Sequence, residues 1–163
     1  MNKFILICLI CFVFSKRQVS QKAVNLIKQF EGCKLTAYYC SAGKLTIGYG
    51  TTNSDKSITG KTITKGMKIS KETAEKWLRL SLNKKYAPLV NKYDGKYHWT
   101  QNEFDALVSF AYNIGSINQL TANGSRTKKQ IAAKIPEYCK AGGKRLKGLV
   151  NRRNKEKALF LSK

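Results

Sequence analysis

The chain has 163 residues, 42% of them hydrophobic, which is enough to bury the core of one ordinary domain and leaves no room within it for a second. Thirty-one Lys and Arg stand against nine Asp and Glu, a net charge of +22, so the folded surface carries a wide positive field suited to a polyanionic partner. The lysines are scattered along the whole length, with no aromatic-interleaved basic patch and no helix-turn-helix, zinc-finger or RNA-binding-sheet pattern, which argues against a specific nucleic-acid target.

Met1 to Lys3 form a short basic start, followed by the uninterrupted apolar run Phe4 to Phe14 and the polar Ser15-Lys16-Arg17-Gln18. The run falls short of the roughly 20 apolar residues needed to span a bilayer and has the form of a secretory signal. Residues 1–15 are therefore expected to be a signal peptide, cleaved after Ser15, and residues 16–163 the functional domain. Ser20 then reads as a helix N-cap, with Ala23, Val24, Ile27 and Phe30 at helical spacing and Gly32 placed as a left-handed C-cap. Runs 35–39 and 45–49 are β-prone around the turn Ser41-Ala-Gly-Lys44, a hairpin with Leu35, Ala37 and Tyr39 on one face and Thr36, Tyr38 and Cys40 on the other. Residues 50–69, rich in Gly, Thr, Ser and Lys, read as irregular loop with one further short strand.

From Ser70, helical spacing continues through Trp77, Leu78 and Leu82 to about Tyr86, just before Pro88. Thr100-Gln-Asn-Glu103 is a capping box before Phe104, Leu107, Val108 and Ala111, predicting a buried helix over 101–113 closed by Gly115. Thr127-Lys-Lys-Gln130 repeats the device for a helix that ends or kinks near Pro136. A last helix is expected over 143–161, with Leu146, Leu149, Val150, Leu159 and Phe160 inward. The outline is an α+β, mostly helical chain with a small N-terminal hairpin lobe, a linking helix and a larger helical lobe.

Cys8 and Cys11 fall in the expected signal, leaving Cys33, Cys40 and Cys139, an odd number. If a disulfide forms, Cys33 with Cys139 is the favoured pair. With one His and no Cys-x-x-Cys spacing after residue 15, neither a metal site nor a cofactor is expected.

One carboxylate stands out. Glu31 is the only acidic residue before Asp55, and it sits at the carbonyl end of the first helix, where partial negative charge disfavours a carboxylate. Phe30 and Tyr38 nearby would desolvate it further, whereas the surrounding lysines act the other way. A carboxyl that holds its proton is what glycosidic bond cleavage requires beside the leaving oxygen, together with a second polar group that directs water.

Glu31-Gly32, Cys40 and Thr46-Ile-Gly-Tyr-Gly50 resemble the active-site segment of the phage-type lysozymes, the endolysins and their cellular relatives of glycoside hydrolase family 24, which reads Glu, eight residues, Asp or Cys, five residues, Thr. Thr100 to Leu107 with Tyr112-Asn-Ile-Gly115 resembles the family's central helix, and Lys140-Ala-Gly-Gly-Lys144 with Gly148 to Arg153 its C-terminal segment. The resemblance implies a two-lobed lysozyme-like fold with the glycan between the lobes. Glu31 would be general acid, while Cys40, in the place usually held by Asp, and Thr46 would direct the attacking water. It also implies that Arg152 or Arg153 pairs with the acid, that Asn113 faces the substrate, and that the product is inverted. An unperturbed thiol, with a pKa of ~8.5, is only slightly ionised near neutral pH, so the role of Cys40 depends on its surroundings.

The family reads Gly-Tyr-Gly-His-Thr where this chain has Gly48-Tyr49-Gly50-Thr51-Thr52, which removes a possible ion pair behind the hairpin. Segment 118–125 also lacks the family's aromatic and serine pattern. The implied substrate is bacterial peptidoglycan, and an anionic bacterial envelope accounts for the charge. The implied protein is a secreted monomer, acting outside the cell, in a digestive vacuole, or as a viral endolysin exported across a host membrane. The rival reading is a cationic antimicrobial or nucleic-acid-binding protein on a silent lysozyme scaffold.

Overall fold

Ser20 starts the first helix as its spacing predicts. The structure, a computed structural model, describes residues 16–163, so the expected signal lies outside the described residues. Helix α1 spans Gln21–Phe30, the Ser20 hydroxyl accepting from the Lys22 N–H at 3.1 Å and Ala23, Val24, Leu26 and Ile27 buried. Asp105, itself fully buried, accepts the Ser20 N–H at 3.0 Å and so ties the start of α1 to the central helix. At the other end the expectation fails. Gly32 is not left-handed; the chain leaves the helix at Glu31 in extended conformation (φ −100°, ψ 130°), although the Glu31 N–H still reaches the Ile27 carbonyl at 3.0 Å. A bend at Glu31 then leads into the first strand.

Strands β1 (Lys34–Tyr39), β2 (Leu45–Gly48) and β3 (Thr51–Thr52) form an antiparallel sheet in that order. Tyr38 pairs with Thr46 and Tyr39 with Leu45, but the register shifts between Lys34 and Tyr38. That irregularity breaks the expected alternation: Ala37 and Tyr38 are both half-buried, while Leu35 and Tyr39 face solvent. Gly48 is left-handed (φ +64°), and a Cβ there would lie 3.2 Å from that of Ala74, so the sheet is seated directly on the linking helix. The short helix α2 (Lys56–Thr59) follows.

Helix α3 (Lys71–Ser81) joins the lobes by facing two ways. Its Trp77 packs with Ile47 and Ile63 in the small lobe's core, while Ala74 and Leu78 belong to the main core. Burying each such aliphatic side chain contributes about 1.5–3 kcal/mol, so both lobes are held on one helix. The helix does not stop before Pro88, as its sequence suggests. A π-helical turn over Leu82–Tyr86 carries it into α4 (Ala87–Asn91), the Ala87 N–H reaching back to the Leu82 carbonyl. The wider turn accommodates a proline ring that a regular α-helix would drive into the preceding turn.

Helices α5 (Asp94–Tyr97), α6 (Gln101–Ile114), α7 (Asn118–Thr121) and α8 (Lys128–Lys134) complete the body of the large lobe. The capping boxes at Thr100 and Thr127 form as expected, Gly115 closes α6 with φ +91°, and a 3₁₀ turn at Pro136 ends α8. The C-terminal expectation needs correction. Residues 140–145 are not helical but form a hairpin, β4 (Lys140–Ala141) and β5 (Lys144–Arg145), whose two-residue turn is Gly142 and Gly143, both at positive φ. Helix α9 is Lys147–Leu161, and its buried residues are Arg152, Arg153, Glu156 and Phe160; Leu146 is exposed and Leu149, Val150 and Leu159 are only half-buried. No described helix is long and apolar enough to cross a membrane.

Candidate active site

Because α1 ends in extended backbone, the Glu31 side chain projects from the helix end into a cleft of about 350 Å³ lined by Phe30, Asn113, Leu146, Gly148, Leu149 and Arg152. Its side chain is 28% exposed, open to a ligand yet backed by protein. Arg152, with only 4% of its side chain exposed, donates from Nη1 to Glu31 Oε1 at 2.7 Å. Two influences of opposite sign meet at this carboxylate: the carbonyl end of α1 disfavours negative charge and the guanidinium favours it. The opposing cation is thus a buried arginine rather than the lysines the sequence suggested. Phe30 lies beside Glu31, whereas Tyr38 is covered by the Lys34 ammonium, 4.0 Å from its ring centre.

Of the two adjacent arginines, Arg152 is the partner of Glu31. It also donates from Nε to Glu156 Oε1 at 3.2 Å and from Nη2 to the Ser109 carbonyl at 3.3 Å. Arg153 turns the other way, fully buried with its guanidinium 4.7 Å above the Phe110 ring, and donates from Nη2 to the Asn113 side-chain oxygen. Its Nη1 lies 2.9 Å from Glu156 Oε2 as an ion pair without a well-aligned hydrogen bond. Burial pushes the Glu156 carboxyl up and the Arg153 guanidinium down, and their mutual attraction opposes both movements.

Cys40 and Thr46 form a second group, on the β1–β2 hairpin, and do not line the cleft around Glu31. The turn is closed by the Cys40 N–H donating to the Lys44 carbonyl at 3.0 Å and the Gly43 N–H to the Cys40 carbonyl at 2.8 Å. The polar groups of the hairpin around the thiol, first the backbone at Lys44 and then the Thr46 side chain and the backbone at Ala42, favour the thiolate and draw the Cys40 pKa below the ordinary value. The lowering therefore comes from the hairpin and its turn. Thr46 is buried, its hydroxyl donating to the Lys44 carbonyl at 2.9 Å. Cys33 is exposed, Cys139 buried, and all three cysteines are free, so the Cys33–Cys139 bridge does not form.

Several supporting residues carry no clear mark in the sequence. Tyr112, next to Asn113 on α6, donates from its hydroxyl to the Tyr49 carbonyl at 2.7 Å and so joins the large lobe to the end of the sheet. Burial pushes its phenol far above the usual range, the nearby Glu31 adding to the effect. Behind the hairpin, where the family's His is absent, Asp55 accepts the Thr52 N–H at 2.9 Å and pairs with Lys85 on the π-helical turn, beside a polar cavity of about 160 Å³. Glu156 does leave a signal, as an acid three and four residues after two arginines.

The phage lysozyme family model matches residues 28–156. The endolysin of Lactococcus phage c2 is 42% identical over 88% of this chain, and the chain spans 60% of that relative's length. Among solved structures, the endolysin from Escherichia coli O157:H7 phage FAHEc1 superposes with a TM-score of 0.70 at 40% identity, covering 90% of this chain and 95% of its own. The muramidase domain of SpmX from Asticaccaulis excentricus gives a TM-score of 0.69 at 32% identity, covering 90% of this chain and all of its own. With four fifths of its length inside the family's matched region and the mostly helical, two-lobed fold in common, the chain belongs to the phage lysozyme family.

Proposed function

We propose that this protein is a lysozyme that hydrolyses the β-1,4 bond between N-acetylmuramic acid and N-acetylglucosamine in bacterial peptidoglycan. The observation that carries this reading is the Glu31 carboxylate, held at the rim of an open cleft by the buried Arg152. The names of its relatives, endolysin and muramidase, point the same way. In this reading Glu31 protonates the leaving oxygen while water directed by Cys40 and Thr46 attacks the opposite face of the sugar. Asn113 contacts the glycan, Arg152 holds the acid in place, and Arg153 orients Asn113. Residues 1–15 serve as an export signal, and the positive surface draws the monomeric enzyme to an anionic wall.

The test is turbidity loss of purified cell walls with the native chain and with Glu31→Gln. The amide keeps the size of the side chain but has no acidic proton, so clearing is expected to fall at least about a hundredfold. Equal clearing by both would remove Glu31 from the chemistry. The sugar found at the new reducing ends of the digest identifies the bond: N-acetylmuramic acid supports the reading and N-acetylglucosamine overturns it.

A further inference from the structure

Every buried charge near the cleft converges on Glu156. This residue has no exposed surface, accepts the Ser109 hydroxyl at 2.7 Å, and meets Arg152 at 3.2 Å and Arg153 at 2.9 Å. Each arginine then reaches one cleft side chain, Arg152 to Glu31 and Arg153 to Asn113. We propose that Glu156 is a positioning residue for the lysozyme reaction, its carboxylate balancing both guanidiniums so that one arginine holds the acid and the other the substrate-facing amide. This rests on the reading of Glu31 as general acid.

Two guanidiniums facing two carboxylates make a cluster with no net charge, and such balance matters most where water is excluded. Removing the Glu156 charge leaves the cluster with one net positive charge and Arg152 with Glu31 as its one carboxylate partner, which favours the ionised form of Glu31 and disfavours proton donation. The remaining groups around the cluster do not rescue the balance. Ser109 on α6 is neutral, Cys139 near Arg153 is buried, and Tyr112 and Tyr86, beside Glu31, have phenols raised by burial that remain neutral in any working range. Sequence spacing alone would assign Glu156 a structural ion pair; its reach to both cleft residues assigns it more.

The experiment compares native protein, Glu156→Gln, Glu156→Asp and the pair Glu156→Gln with Arg153→Gln, following wall clearing against pH and the Glu31 carboxyl carbon by NMR. In Glu156→Gln the alkaline limb of activity and the Glu31 titration should both move to lower pH by about one unit. The aspartate should leave both unmoved, and the double variant should bring both back toward the native position while raising KM, because Asn113 has lost its partner. A Gln variant that merely melts earlier, with both curves unmoved, overturns the proposal. Should that variant fail to fold, the native protein still decides, since a Glu156 carboxyl found neutral at the working pH refutes it. Absence of clearing by the native chain would sink the lysozyme reading instead, while the NMR comparison would still decide on Glu156.

Discussion

Tyr112→Phe isolates the contact that closes the two lobes behind the cleft. The substitution keeps the ring, which lies 5.1 Å from that of Tyr86, and deletes only the hydroxyl that donates to the Tyr49 carbonyl at 2.7 Å. A hydrogen bond of this kind contributes about 0.5–1.5 kcal/mol net, and the carbonyl left without its donor costs about 1–3 kcal/mol where water cannot replace it. The Tyr112 phenol stays protonated because burial holds its pKa far above the usual range, so the contact is present throughout the pH range in which the fold survives. A loss of about 2 kcal/mol corresponds to a fall in Tm of roughly 4–8 °C for a chain of this size. The assay is thermal unfolding at pH 5 and pH 8, paired with wall clearing at 25 °C. The fall should be equal at both pH values, and clearing should drop several-fold because the sheet that carries Thr46 is less firmly seated. An unchanged Tm would refute the reasoning by showing that the carbonyl is satisfied without Tyr112.

Cys40→Ala should cut wall clearing by about a hundredfold, whereas Cys40→Asp, which restores a fixed anion, should retain it; an active alanine variant would exclude the thiol from the reaction. Glu75→Gln tests a surface pair. Its carboxyl is held below the ordinary value chiefly by the hydrogen bond from Lys28, so it stabilises the fold above the ordinary Glu pKa and loses that contribution as pH falls through the lower, folded value. With side chains still 23% and 29% exposed, solvent screening limits the effect to under about 1 kcal/mol. Denaturant unfolding should show the deficit at pH 7 and a steadily smaller one as the pH falls below the ordinary Glu range, and a deficit that does not shrink on acidification would contradict the assignment.

The elements most legible in the sequence are those fixed within four residues. Ser20, Thr100 and Thr127 announce their helices because each cap is satisfied by a backbone N–H two or three positions away. The Gly142-Gly143 turn is equally local, but the apolar residues after it at positions 146, 149 and 150 draw the expected helix back across it, and those residues turn out to be only partly covered. Pro88 misleads in the opposite direction, since the π-helical turn over Leu82–Tyr86 lets the helix continue past a proline that by itself reads as a stop. The choice between Arg152 and Arg153 depends on how α9 is rotated against α1 and α6. Periodicity places a helix in the chain but does not set its rotation, so the spacing from Glu31 to Cys40 and Thr46 is readable and the arginine that reaches Glu31 is not.

The scarcity of acids in this chain connects its interior to its surface. Most of the nine acidic residues are engaged close at hand, with Glu31 and Glu156 in the arginine cluster, Asp55 on Lys85, Glu75 on Lys28, Glu103 closing a capping box and pairing with Lys128, Asp105 on Ser20, Asp94 on the Trp99 N–H and Glu137 on Lys134. Inside, the arginines meet equal opposite charge, as the desolvation cost of an ion requires. Outside, too few carboxylates remain to neutralise the lysines, so the excess positive charge of the described residues is expressed almost wholly at the surface. A field of that kind reaches about 8 Å into physiological saline and shrinks as salt is added, while the buried cluster is screened far less. Salt therefore acts on the approach to a polyanion and not on the geometry around Glu31, which makes the encounter and the chemistry separately adjustable in one small fold.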